Sequence, residues 1–161
     1  MPIVIAVSLI LLVLIGFLGV FIVKSFAAPK KIETINKLIK QQKYSAAQKA
    51  AKSLIAKDPR DYHAHYYLGK AYLADHKNEL ALMEFRTVAD NAIFDAKLPE
   101  TEFRKQLSQL YLKFNQTDEA LKEFLLLTKL EPTNAENFYR AAKSWSSKTM
   151  QKAPLASTRK P

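Results

Sequence analysis

The amino-acid sequence predicts an all-α chain: an N-terminal transmembrane helix, then a right-handed solenoid of helical hairpins, three full and one incomplete. Three observations carry this expectation. From Pro2 to Val23 there is no charged side chain, and only Ser8, Gly16 and Gly19 interrupt the apolar run. After that run, one pattern of small, aromatic and aliphatic residues recurs in four phased copies. Glycine then almost vanishes, with Gly69 alone beyond the apolar run, and no β-rich alternation takes its place.

The first element is the apolar run. At about 1.5 Å per residue, Ile3–Val23 extends about 32 Å as a helix, the thickness of a hydrocarbon core. A buried helix of a water-soluble domain would show polar positions at helical spacing. A cleaved signal peptide is the competing reading, since Ser25-Phe26-Ala27 resembles a small-x-small cleavage site. The apolar core is longer than such peptides use and no Lys or Arg precedes it. The uncleaved anchor, residues 1–24, is therefore the expectation. Gly16 and Gly19 are three apart rather than four, so they read as glycine tolerated in lipid, not as a helix-pairing motif.

The flank that follows is basic. From Lys24 to Arg60 there are ten Lys/Arg against two acids, Glu33 and Asp58, whereas Asp61–Lys143 holds eleven bases and thirteen acids. Lys24, Lys30 and Lys31 are the expected lipid-surface contacts, each worth about 1 kcal/mol near anionic head groups. Nucleic acid is not the expected partner, because interleaved arginines and aromatics are absent. Topology signals conflict: the positive-inside rule puts this flank in the cytoplasm, while a short uncharged N-terminus suits an exported domain. The periplasmic side is the expectation adopted. Cysteine is absent, which fits either compartment.

The repeat follows. Leu68-Gly69-x-x-Tyr72 and Ala81-x-x-x-Phe85-x-x-Val88 recur 39 residues later as Leu107-Ser108-x-x-Tyr111 and Ala120-x-x-x-Phe124-x-x-Leu127. A weaker copy precedes them (Ile35, Leu38, Ala47, Ala51, Leu54, Pro59), and Phe138, Ala141, Ala142 and Trp145 begin a fourth. Small residues at Gly69/Ser108 and Ala81/Ala120 let two helices approach closely, Tyr72 and Phe85 fill the space between hairpins, and Pro59 and Pro132 separate helices. These residues resemble the tetratricopeptide repeat over roughly Ala28–Trp145. Two departures stand out: Ile35 replaces a small residue, and the second copy has about five extra residues around Ala92–Leu98, read as a lengthened helix and loop.

The phase places helices near 30–42, 45–57, 61–74, 78–93, 99–114, 117–130 and 134–146. Ser45-x-x-Gln48 and Thr133-x-x-Glu136 read as capping boxes, and Asp61, Asn78 and Thr117 as N-caps. The repeat domain is then 25–146, with copies at about 28–61, 62–100, 101–134 and a partial one at 135–146. Residues 147–161, rich in Ser, Lys, Thr and Pro, read as a disordered tail or the scar of a truncated or frameshifted array.

The titratable inventory argues against an enzyme. No cysteine and no glycine-rich loop exist, and His63 and His65 point apart on a helix. Catalytic residues, metal ligands and cofactors are all expected to be none. The resemblance implies instead a groove lined by the first helix of each hairpin: Asn36 and Lys40, Tyr66 and Lys70, Lys105, Gln109 and Lys113, then Tyr139 and Lys143. Such a basic, tyrosine-bearing groove suits a peptide or helix of another protein, with acidic character, and allows homo- or hetero-oligomers. The carboxylate clamp of chaperone-docking relatives would fall on Ile32, Asn36, Tyr67, Glu102 and Gln106, where only Asn36 fits. The function implied is a membrane-anchored interaction scaffold. Its layout and Lys-rich, Cys-free composition resemble the anchored repeat proteins of the spirochaetal periplasmic flagellar collar. A cytoplasm-facing receptor or a regulatory subunit is the alternative.

Overall fold

The computed structural model describes the backbone of residues 2–152 and the side chains of residues 7–20 and 31–150. Its helices are α1 (Pro2–Lys40), α2 (Tyr44–Ile55), α3 (Tyr62–Ala74), α4 (Asn78–Asn91), α5 (Glu100–Lys113), α6 (Thr117–Leu130) and α7 (Ala135–Lys152). They form an all-α helical solenoid in which α1/α2, α3/α4 and α5/α6 are hairpins and α7 lies against α6.

Helix α1 differs from the expectation of two separate helices. It is a single helix of 39 residues that runs through Pro29. Its second half buries Ile32 and Ile35 against α2 and α3. In its first half the large apolar side chains from Val7 to Val20 are 57–77% exposed. Among the described residues no helix is long and apolar enough to cross a membrane. The expected anchor lies partly outside the residues whose side chains are described, as do Lys24 and Lys30; Lys31 is exposed.

The turn within each hairpin is the same motif three times. In the first, the Gln42 and Lys43 N–H groups donate to the Ile39 and Leu38 carbonyls. His76 and Lys77 do so to Leu73 and Tyr72, and Asn115 and Gln116 to Leu112 and Tyr111. This is the Schellman closure, and it requires a left-handed residue. Here that residue is Gln42, His76 or Asn115, with φ of 59°, 59° and 56°. The next helix begins two residues later, so Lys43, Lys77 and Gln116 occupy the N-cap positions without a side-chain cap. This displaces the expected caps. Ser45, Asn78 and Thr117 lie inside their helices, and Gln48 donates to Asp75 instead of closing a capping box. Asp61 does cap α3, accepting from the Ala64 N–H at 2.9 Å. At α7, Asn134 rather than Thr133 accepts from the Glu136 N–H.

Gly69 is where the two helices of the second hairpin come closest. A Cβ built there would meet the ring of Phe85. Phe85 lies stacked on Tyr66 (centroids 5.9 Å apart) and edge-on to Phe103 (5.4 Å).

The insertion in the second copy does not lengthen α4, which stops at Asn91. Ala92 is extended, and Asp95 and Leu98 form an isolated antiparallel bridge. Asp95 builds this turn by accepting from the Lys97 and Leu98 N–H groups. Its other oxygen holds His63 at 2.9 Å. Partial burial pushes its carboxyl up, but these hydrogen bonds outweigh that and hold it below the usual range. The turn carries Leu98, fully buried, and Phe94, 5.4 Å from the Phe103 ring, into the gap between α4 and α5. There the two helix backbones make their sparsest contact with any neighbour.

Helix α7 extends two turns past the expected end at 146. Its packed stripe, Asn137, Ala141 and Ser144, continues at i+4 to Lys148, which reaches Asp118 at 2.9 Å. Residues 153–161, most of the expected tail, lie outside the described residues.

Candidate functional site

The expected groove residues do not all remain available. Asn36 is half-buried, and Lys40, Gln109, Lys113, Tyr139 and Lys143 are exposed. Tyr66, expected as an aromatic anchor in the groove, is 1% exposed and belongs to the core. It packs between Phe85, Phe103 and the edge of Tyr67. The ring is enclosed by Phe85 of its own hairpin and Phe103 of the next, and Phe94 of the inserted turn packs on Phe103 in its turn.

The expected lysines are in part neutralised. Lys70 pairs with Glu102 at 3.0 Å while its ammonium lies 5.2 Å from the Tyr66 ring centre and 5.7 Å from that of Tyr67. Lys105 pairs with Glu131 at 2.8 Å. Glu131 also accepts from the side-chain amides of Asn134 and Asn137. Lys105 first, then those two amides, holds its carboxyl down at about 2.

What the fold brings together is a polar cluster between α3 and α5. Glu102 sits at its centre, accepting from Lys70 and, at 3.1 Å, from the Gln106 amide. The Lys70 hydrogen bond, more than burial opposes it, keeps Glu102 below the usual carboxylate range. Two atoms of the cluster are buried without a hydrogen-bond partner: the Tyr66 hydroxyl and Gln106 Oε1. The amide orientation is settled by chemistry, because turning it over would set Oε1 against the Glu102 carboxylate. Burial first, and then the negative charge of Glu102 close by, raises the Tyr66 hydroxyl above the usual phenol range. Sequence reasoning missed Glu102 and Gln106 as groove residues because they entered only as mismatches to a carboxylate clamp.

A second set of polar contacts repeats with the copies. His65 Nδ1 meets Glu84 at 2.6 Å, and Arg104 meets Glu123 at 2.8 Å. Both pairs join the two helices of one hairpin, and both are 19 residues apart. Between copies, Lys52 lies over the Tyr72 ring and Arg86 over the Tyr111 ring, at 5.7 and 5.5 Å. These are structural ties, and among the described residues no group of three His, Cys, Asp or Glu side chains stands placed to hold a metal.

The turn-by-turn equivalence of three hairpins decides the architecture. The fold is that of the tetratricopeptide repeat. Residues 34–96 match the tetratricopeptide-repeat family model. Among solved structures, the first repeat domain of Spaghetti (RPAP3), bound to the HSP90 peptide SRMEEVD, is 23% identical with a TM-score of 0.60. That match covers 76% of this chain and 93% of the other. The Yersinia enterocolitica type III secretion chaperone SycD, in complex with a peptide of the translocator YopD, is 18% identical with a TM-score of 0.58. It covers 79% of this chain and 95% of the other. MamA is 19% identical, with a TM-score of 0.55 over 81% and 74% of the two chains. At these identities the likeness is one of fold. No curated protein is similar enough in sequence to count as a relative.

Within this repeat fold the α3–α5 cluster lies on the first helices of adjacent hairpins, where the family's groove was expected. Of the expected set, Lys70 belongs to the cluster and Tyr66 only lends it a hydroxyl. Asn36, Lys40, Gln109 and Lys113 lie on the same series of helices without joining it.

Proposed function

We propose that this protein is a non-enzymatic, membrane-anchored scaffold that binds a segment of another protein along its α1, α3 and α5 helices. The observation that carries the reading is the polar cluster of Lys70, Glu102 and Gln106 between α3 and α5, whose Glu102 carboxylate is exposed. The exposed Glu102 carboxylate and the partly exposed Lys70 ammonium offer a peptide an acceptor and a donor. Exposed Gln109 and Lys113 extend the contact along α5. The peptide complexes of RPAP3 and SycD support the reading, because both are built on this fold.

Anchoring is supported by the exposed apolar side chains Val7–Val20, which no described element covers. The basic flank, Lys24, Lys30 and Lys31, would then meet lipid head groups, with the repeats on the periplasmic side in envelope or flagellar assembly. A photo-crosslinking residue at Gln109 tests the groove in cells. A discrete protein adduct that is lost with Lys70→Glu plus Gln106→Leu supports it; an adduct indifferent to both changes moves the interface elsewhere. Paired alkaline phosphatase and green fluorescent protein fusions after Lys143 test the side: phosphatase activity without fluorescence supports the periplasm. Fluorescence alone supports a cytoplasm-facing receptor instead.

A further inference from the structure

The first hairpin lacks an ion pair that the next two share. His65 meets Glu84 across the second hairpin and Arg104 meets Glu123 across the third. The equivalent positions in the first copy, each 34 residues before those of the second, are Lys31 and Ala50. The cation is kept, and its carboxylate is replaced by a methyl group. Space stands in its place: a cavity of about 230 Å³ opens between α1 and α2, lined by Lys31, Ala50 and Lys57 and by the hydroxyl-bearing Thr34 and Ser53. Its apolar wall is buried Ile35 and half-buried Leu54.

Neither lysine is compensated. Lys31 and Lys57 make no ion pair among the described residues, unlike Lys70 and Lys105. The two acids of this basic stretch, Glu33 and Asp58, do not line the cavity, and Asp58 accepts from the Arg60 backbone N–H. Two uncompensated ammonium groups beside hydroxyls, with an apolar wall, suit a phosphate joined to an apolar body. The course of the chain decides the source. Helix α2 returns alongside α1, so Lys57, just past its end, comes back to the level of Lys31. This is the end of the hairpin from which the apolar first half of α1 projects. Lys31 follows Val23 by eight residues, about 12 Å along the axis. Side chains on a helix lean towards its N-terminus, which on α1 is towards the apolar run.

We infer that the α1–α2 cavity binds the phosphate of an anionic lipid head group, with Lys31 and Lys57 meeting its charge and Ser53 donating to an oxygen. The site depends on the anchoring proposed above, and it adds to the attraction of the basic flank a built receptor for one lipid.

The probe is phosphatidylglycerol, added in increasing proportion to full-length protein in phosphatidylcholine nanodiscs, with protein-bound lipid counted by native mass spectrometry. One phosphatidylglycerol is expected to be retained at saturation. Ala50→Glu rebuilds the pair of the other hairpins and is expected to raise the apparent dissociation constant about tenfold or more. Lys31→Gln is expected to raise it about fivefold. Lys122→Gln, the same charge change at an exposed position on α6, is expected to leave it unaltered. Circular dichroism checks that each variant stays folded. Retention that both Ala50→Glu and Lys31→Gln leave unaltered, or no preference for phosphatidylglycerol in protein that inserts, overturns the site while anchoring stands. Free glycerol phosphate bound as tightly as the lipid overturns the assignment to a membrane. Full-length protein that does not enter the nanodiscs overturns anchoring and the site together.

Discussion

Replacing Gly69 by alanine separates local propensity from packing, because the two predict opposite signs. In a helix interior Ala is favoured over Gly by about 1 kcal/mol. Against this, the new Cβ would lie 2.5 Å from Cδ1 of Phe85 and nearer still to Cε1. Carbon atoms in contact sit about 3.5–4.0 Å apart, so the ring must retreat by about 1 Å. It has nowhere to go: Phe85 is fully buried and held between the Tyr66 and Phe103 rings. Overpacking of this kind costs about 3 kcal/mol at the upper end of its usual range. The net is a loss of about 2 kcal/mol, which for a chain of this size lowers Tm by about 4–8 °C. Thermal and urea unfolding followed by circular dichroism measure it. The companion variant Phe85→Leu vacates the ring, and in that background Gly69→Ala should become neutral or stabilising. A Gly69→Ala protein that melts at or above the parent temperature would refute the close-approach argument. So would an equal loss in both backgrounds.

Relieving the left-handed turn residues should act in the other direction. His76→Gly is expected to stabilise by about 1 kcal/mol, since left-handed φ is costly for side chains other than Gly and Asn; Asn115→Gly should gain less in the same urea titration. Arg104 joins Glu100 and Glu123 with only 11% of its side chain exposed. Arg104→Leu should therefore cost about 3 kcal/mol by stranding Glu123, and Glu123→Leu added to it should restore much of the loss. Glu131, Glu102, Asp75 and Asp95 all have folded-state carboxyls held below their ordinary values. The unfolded chain then binds protons first on acidification, so stability falls as pH drops from the ordinary carboxylate range towards about 2, where Glu131 titrates. A Glu131→Gln variant should show a shallower acid limb in a Tm-against-pH series; an unchanged limb would remove Glu131 from that account.

The repeat register was legible because it depends on residue size at fixed helical spacing. Gly69, Ser108, Ala81 and Ala120 announce close approach in any context, and Asp61 announces a cap. The turns between paired helices were less legible, since Gln42 and His76 occupy left-handed positions that composition would assign to Gly or Asn. Caps shifted by a residue because Schellman closure fixes where the second helix starts, whatever Ser45, Asn78 or Thr117 prefer. Tyr66 was misassigned for a longer-range reason. Its helix position borders both groove and core, and the ring that decides between them, Phe103, comes from the next copy, across an insertion with no counterpart elsewhere. The cluster at Glu102 was hidden likewise, because its 32-residue separation from Lys70 is set by the length of that insertion. The extra turns of α7 could have been read from the 137/141/144/148 stripe.

The same insertion has a mechanical consequence. In a stacked array, stability is the sum of what each unit holds by itself and what it gains from its neighbours. Between the second and third hairpins the backbones stand apart and the joint is made by rings, Phe94 and Phe103 above all, rather than by a long helix–helix seam. Cooperativity is weakest across such a joint, so the chain is built as two blocks: α1–α4 on one side and α5–α7 on the other. Amide hydrogens in the two blocks should exchange with different opening energies. A force or a bound partner acting on one end would bend the array at that joint before it loosened either block.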